Sequence, residues 1–116
     1  MGHVTLWIDH KKAHIFSYSA EAITEHEVKC EGENTPEHLK KFFHNVALKV
    51  GSPSQLLIVG PGTAKDEFKK HCESHNHHNL AKNIVGVETM KDHPSKPEIL
   101  NVSKTFFDHH FRWHNA

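Results

Sequence analysis

Residues 71–78, "HCESHNHH", are the densest run of metal-ligating side chains in the chain. His71 and His75 are four residues apart, so on a helix they share a face, with Cys72 beside His71. Two imidazoles at that spacing suit zinc, nickel or copper. A specific site needs a third and a fourth ligand, and His77 or His78 supplies one only if the chain folds back. His110 and His114 repeat the spacing further on. No carboxylate or second cysteine completes a standard interval. The pattern therefore favours solvent-facing histidines, with at most adventitious or regulatory binding of a divalent metal, and no cofactor is expected. Cys72 falls on the thin apolar stripe of its helix and reads as buried and inert.

A second stretch, "LIVGPGTAKDEF" at residues 57–68, is an apolar strand that ends in Gly60-Pro61-Gly62 and opens a helix. Free N–H groups at a helix start attract anions, so Gly60, Gly62 and Thr63, helped by Lys65, make a candidate anion loop. The loop has neither the P-loop spacing nor the dinucleotide fingerprint. Its expected role is to turn the chain, Gly giving φ freedom and Pro rigidity. Asp9 closes the first strand, where a metal-dependent nuclease places a carboxylate. Such an enzyme needs several acids around its metals, and the strand before the Gly-Pro-Gly turn ends in Val59-Gly60. Asp9 is expected to accept turn hydrogen bonds instead. Basic residues gather at Lys11 and Lys12 and at Lys65, Lys69 and Lys70. Both groups flank strand ends expected to lie close together, which makes a local RNA-binding patch.

The elements that must position these residues follow from periodicity. "VTLWID" at 4–9, "AHIFSY" at 13–18 and "ITEHEVKC" at 23–30 read as three strands, the first two a hairpin and the third near an edge. Thr35 caps a helix with Pro36 in its first position. Leu39, Phe42, Phe43, Val46, Ala47 and Val50 recur at helical spacing, and Gly51 and Pro53 stop the helix. Leu56 to Val59 is a strand covered on both faces. A second helix starts at Thr63, with Asp66 as its capping-box partner, and buries Ala64, Phe68 and Cys72. Ile84 to Val87 is a short buried strand. Pro97 opens a last helix with Ile99, Val102, Phe106 and His110 on one face. The order is βββ-α-β-α-β-α. That predicts an α/β fold of ribonuclease H-like type, a mixed sheet with helices on its faces, forming one domain over residues 1–116.

Composition narrows the function. Fourteen Lys and Arg balance 14 Asp and Glu, so no global basic field exists and any nucleic-acid contact must be local. The 14 histidines make the surface strongly basic only as pH falls through the imidazole range. Two cysteines form no framework, no long apolar run or leader is present, and no membrane association is expected. The chain reads as soluble and cytoplasmic.

With these residues in view, the chain resembles the middle domain of the archaeal and eukaryotic class 1 release factors and of Pelota. It is more similar still to small bacterial single-domain relatives described as translational machinery proteins. The resemblance rests on "VTLWIDHKKAHIF", "LLIVGPGTAKDEFKKH" and "NIVGVETMKDHP", with Gly60-Pro61-Gly62, Lys65, Glu67 and Phe68 on the shared pattern. In release factors the loop between the third strand and first helix carries Gly-Gly-Gln. Here that loop is "CEGENTPEH", with one Gly and no Gln, so peptide release is not implied. The resemblance implies a non-catalytic translation-associated module, with the ribosome or RNA as partner and Lys11, Lys12, Lys65, Lys69 and Lys70 on phosphate. The alternative is a histidine-rich metal-binding protein using His71, Cys72, His75, His77 and His78. A nuclease or hydrolase built on Asp9 ranks last. Homodimerisation through the sheet edge or the aromatic last helix is compatible with all three.

Overall fold

A computed structural model describes residues 2–19, 22–74 and 77–115, with side chains to residue 109. Three strands come first: β1 (His3–Ile8), β2 (Lys12–Tyr18) and β3 (Ile23–Lys29). Then follow α1 (Pro36–Val50), β4 (Gln55–Gly60), α2 (Ala64–Ser74), a single-turn α3 (His78–Ala81), β5 (Ile84–Thr89) and α4 (Lys96–Asn115). Among the described residues five strands form one sheet in the order β3-β2-β1-β4-β5. β1 pairs antiparallel with β2 and parallel with β4, placing Leu6 opposite both Ile15 and Ile58. β2 runs against its two neighbours while the other strands point one way. This is the mixed ribonuclease H-like sheet that the element order predicts.

Alternation along the strands divides the core in two. Val4, Leu6, Ile8, Ala13, Ile15, Leu56 and Ile58 face α1, α2 and α3, against Phe42, Phe43, Val46, Phe68, Cys72 and Leu80. Trp7, Phe16, Leu57 and Val59 face the other way, against Ile99 and Phe107 of α4. Leu56 to Val59 are fully buried, as expected of a strand covered on both faces. Trp7 is fully buried under α4, as its place in β1 requires. The α1 start follows its sequence signal: Thr35 accepts from the His38 N–H at 3.2 Å and Pro36 opens the helix.

Four local expectations change. The α2 start is not an Asp66 capping box. The Thr63 hydroxyl donates to Glu67 at 2.6 Å, and Asp66 is exposed. The buried face of α4 is centred on Ile99, Ser103 and Phe107, while Val102 and Phe106 are only half-buried. Ser103 lies inside because it meets Thr5 of β1 hydroxyl to hydroxyl at 2.5 Å, which satisfies two buried polar groups. His110 lies outside the described side chains. β5 is half-buried at the sheet edge rather than fully covered. The one-turn α3 had no periodic signal, because four residues are too few to show one.

β3 forms the opposite edge. Its exposed residues include Glu25, His26, Glu27 and Lys29. Charges on an edge discourage pairing with another strand, and Glu25 is held by Lys96 at 3.0 Å.

Candidate functional site

The β1–β2 turn and the start of α2 meet at one end of the sheet. Asp9 Oδ1 accepts from the N–H groups of Lys11 and Lys12, both at 2.8 Å, and so shapes the turn. The next residue reaches across: His10 Nε2 lies 3.0 Å from Glu67 Oε2. Glu67 thus accepts from both Thr63 and His10. The Thr63 hydroxyl foremost, with the His10 ring, holds the Glu67 carboxyl below the usual carboxylate range.

This arrangement bears on the Gly60, Gly62, Thr63 loop. The first turn of α2 carries its own acids, Asp66 and Glu67, which answer the positive end of the helix dipole. Lys65 does not project from the loop. Its side chain is 8% exposed, and its ammonium donates to the Gly62 carbonyl. An ammonium folded onto the backbone in this way braces the turn. Gly60 is required by contact: a Cβ there would sit 2.1 Å from the Ile8 carbonyl oxygen of the neighbouring strand. Lys11, Lys69 and Lys70 are exposed and Lys12 is half-buried. Four of the five lysines expected to form a basic face therefore keep at least part of their surface.

Among the described residues Asp9 joins no group of three close potential metal ligands. Among the described residues, the group of three or more close potential metal ligands is His44, His71 and His77, with ligand atoms all within 4.8 Å of one another. Sequence spacing brought out His71 and His77 and missed His44. His44 lies on α1, 27 positions before His71, and nothing local marks it. His78 is exposed outside this group, and His75 lies outside the described residues.

Cys72 lies outside this group. It is fully buried against Phe68 and the α1 side chains. Burial, with the Glu73 charge adding to it, pushes its thiol up to about 12. The expected consequence is chemical. In the native protein a thiol reagent labels Cys30 and leaves Cys72 until the chain is unfolded, and Cys72→Ser leaves the native count unchanged. Two thiols reacting at similar rates in the native state contradict this placement.

No family model and no curated protein matches the sequence. Solved structures do match. Pelota from Archaeoglobus fulgidus superposes with a TM-score of 0.66 at 23% identity, over 89% of this chain and 30% of that one. The archaeal translation termination factor aRF1 gives 0.60 at 14% identity, over 97% and 41%. Dom34 from S. cerevisiae, a translation termination-like factor involved in RNA quality control pathways and interacting with Hbs1, gives 0.56 at 9% identity, over 75% and 28%. The fold is that of the release-factor and Pelota middle domain. This chain spans less than half the length of each of these proteins.

The loop that follows β3 is tied to the body of the domain. Cys30 N–H donates to the Lys11 carbonyl at 2.7 Å, and Asn34 Nδ2 donates to the His10 carbonyl at 2.5 Å. His38 Nδ1 lies 2.7 Å from the Glu33 carbonyl. The first two hydrogen bonds anchor the loop to the same β1–β2 turn that carries Lys11 and Lys12, and the third ties it to α1.

Proposed function

We propose that this chain is a translation-associated module that docks on the ribosome or RNA and performs no chemistry of its own. The observation that carries this reading is the fold, which it shares over 97% of its length with an archaeal translation termination factor. The surface supports it in a second way. The His10–Glu67 pair joins the β1–β2 turn to α2, so Lys11 and Lys12 share one end of the sheet with the helix that bears Lys69 and Lys70. Phosphate binding by exposed lysines gives affinity without sequence preference and with strong salt dependence. Docking therefore relies on Lys11, Lys69 and Lys70, with Lys12 at the margin and Lys65 holding the turn. Without Gly-Gly-Gln in the loop after β3, the module occupies a surface and hydrolyses nothing.

Co-sedimentation with ribosomes at low and high salt tests the proposal. The protein is expected to pellet at low salt and to be released as salt rises. Charge reversal of Lys69 and Lys70 is expected to weaken binding about tenfold or more, and to flatten the salt slope by roughly one for each phosphate no longer neutralised. Absence of binding at low salt, or binding that ignores both salt and these lysines, would overturn the reading.

A further inference from the structure

We propose that His44, His71 and His77 form a zinc site that ties three separate pieces of the chain together. His44 stands in the middle of α1, His71 in the last turn of α2 and His77 just before α3. The inference stands apart from the docking reading, which uses none of these residues.

Geometry carries it. His44 Nδ1 and His77 Nε2 are 3.3 Å apart. Two nitrogens bound to one tetrahedral zinc at the usual bond length lie about 3.3 Å from each other. A hydrogen bond between two neutral rings accounts for that pair alone. It does not account for the third imidazole, whose ligand atom is within 4.8 Å of both. The His71 and His77 rings are stacked with centroids 5.7 Å apart, and the His44 and His77 rings are 5.3 Å apart. Small rotations of the exposed His44 and the half-buried His77 close such a triangle on one ion. The buried His71, packed beside the Phe43 ring at 5.8 Å, provides the fixed corner.

The donor set defines the cation. Three imidazoles without a carboxylate suit zinc, copper or nickel and disfavour magnesium and calcium. Three protein ligands leave one tetrahedral position, which water fills on the solvent side beside His44. The metal's role is that of a brace. His77 N–H already donates to the Cys72 carbonyl at 3.2 Å, which turns the chain back onto α2. A bound ion fixes the connection between α2 and α3 to α1 and stabilises the folded chain by mass action.

The test uses the whole chain, freed of metal with EDTA, and zinc alone as the probe. Calorimetric titration is expected to show one saturable equivalent, and thermal melting a rise in Tm on adding zinc. His44→Ala and His77→Ala are each expected to weaken binding at least roughly tenfold and to abolish the zinc-dependent rise. The buried His71 is left intact so that folding is not in question. The double variant His26→Ala, His93→Ala removes two exposed histidines elsewhere and is expected to bind as the parent does. Cobalt in place of zinc is expected to give the intense visible absorption of a tetrahedral ion. No zinc uptake would overturn the proposal. So would uptake of unchanged affinity in the His44 and His77 variants, which marks adventitious binding by surface histidines.

Discussion

Gly60→Ala is expected to destabilise the protein by on the order of 3 kcal/mol, a fall in Tm of roughly 10 °C. The cause is the backbone of the next strand. A Cβ at position 60 would lie 2.1 Å from the Ile8 carbonyl oxygen and 3.2 Å from its carbon. No rotamer relieves a clash with a main-chain atom, so β1 and β4 must separate where they are packed from both faces. Gly62→Ala supplies the contrast within the same loop. Gly62 has φ of 58°, and a Cβ there would meet no atom within 4 Å, so the cost is conformational only. For a non-glycine residue in the left-handed region that cost is about 1 kcal/mol. Urea titration of the two variants decides the matter. Equal losses would mean that the loop relaxes freely and that its close approach to Ile8 has little importance.

The same loop shows what a sequence discloses and what it withholds. Gly-Pro-Gly after "LLIV" marks a tight strand-to-helix turn, because each residue there has a local conformational meaning. The partners inside the turn have no such mark. Lys65 reads as a free cation on a first helical turn, yet its long side chain folds back to the Gly62 carbonyl. Thr63 has acids both three and four residues on, and only the fold, with His10 arriving from the β1–β2 turn, makes Glu67 the one it meets. Helix α1 was legible throughout, since the Thr35 cap, Pro36 and the spacing of Phe42, Phe43, Val46 and Val50 all point the same way. Helix α4 was legible as a helix and misleading in its face. Ser103 stands four residues after Ile99 and four before Phe107, yet its polar side chain drops out of an apolar stripe, and only Thr5, 98 positions earlier, gives it a buried partner. His44 is the extreme case. Its meaning depends on two rings from other elements, and no spacing rule spans 27 residues and a strand.

Phe68→Ala is expected to cost about 3–5 kcal/mol, enough to lower Tm by roughly 10–20 °C in a domain of this size. Phe68 is fully buried between the sheet and α1, and its ring meets the edge of Phe43 with centroids 5.9 Å apart. Truncation opens a cavity lined by strands that cannot collapse into it, since Leu6, Ile8 and Ile58 of the same core are held in register by the sheet. Phe68→Leu keeps much of the volume and is expected to lose far less, roughly 1 kcal/mol. The position also links the core to the histidines, because the Phe43 ring that touches Phe68 packs on His71 as well. A loosened Phe43 leaves His71 less firmly placed. If the three histidines bind zinc, Phe68→Ala is expected to weaken zinc binding, although no metal ligand has changed, and Phe68→Leu to restore most of it. Measured together, the two variants separate a core effect from a ligand effect. Zinc affinity that stays constant while stability falls by several kcal/mol would show that His71 is positioned without Phe43.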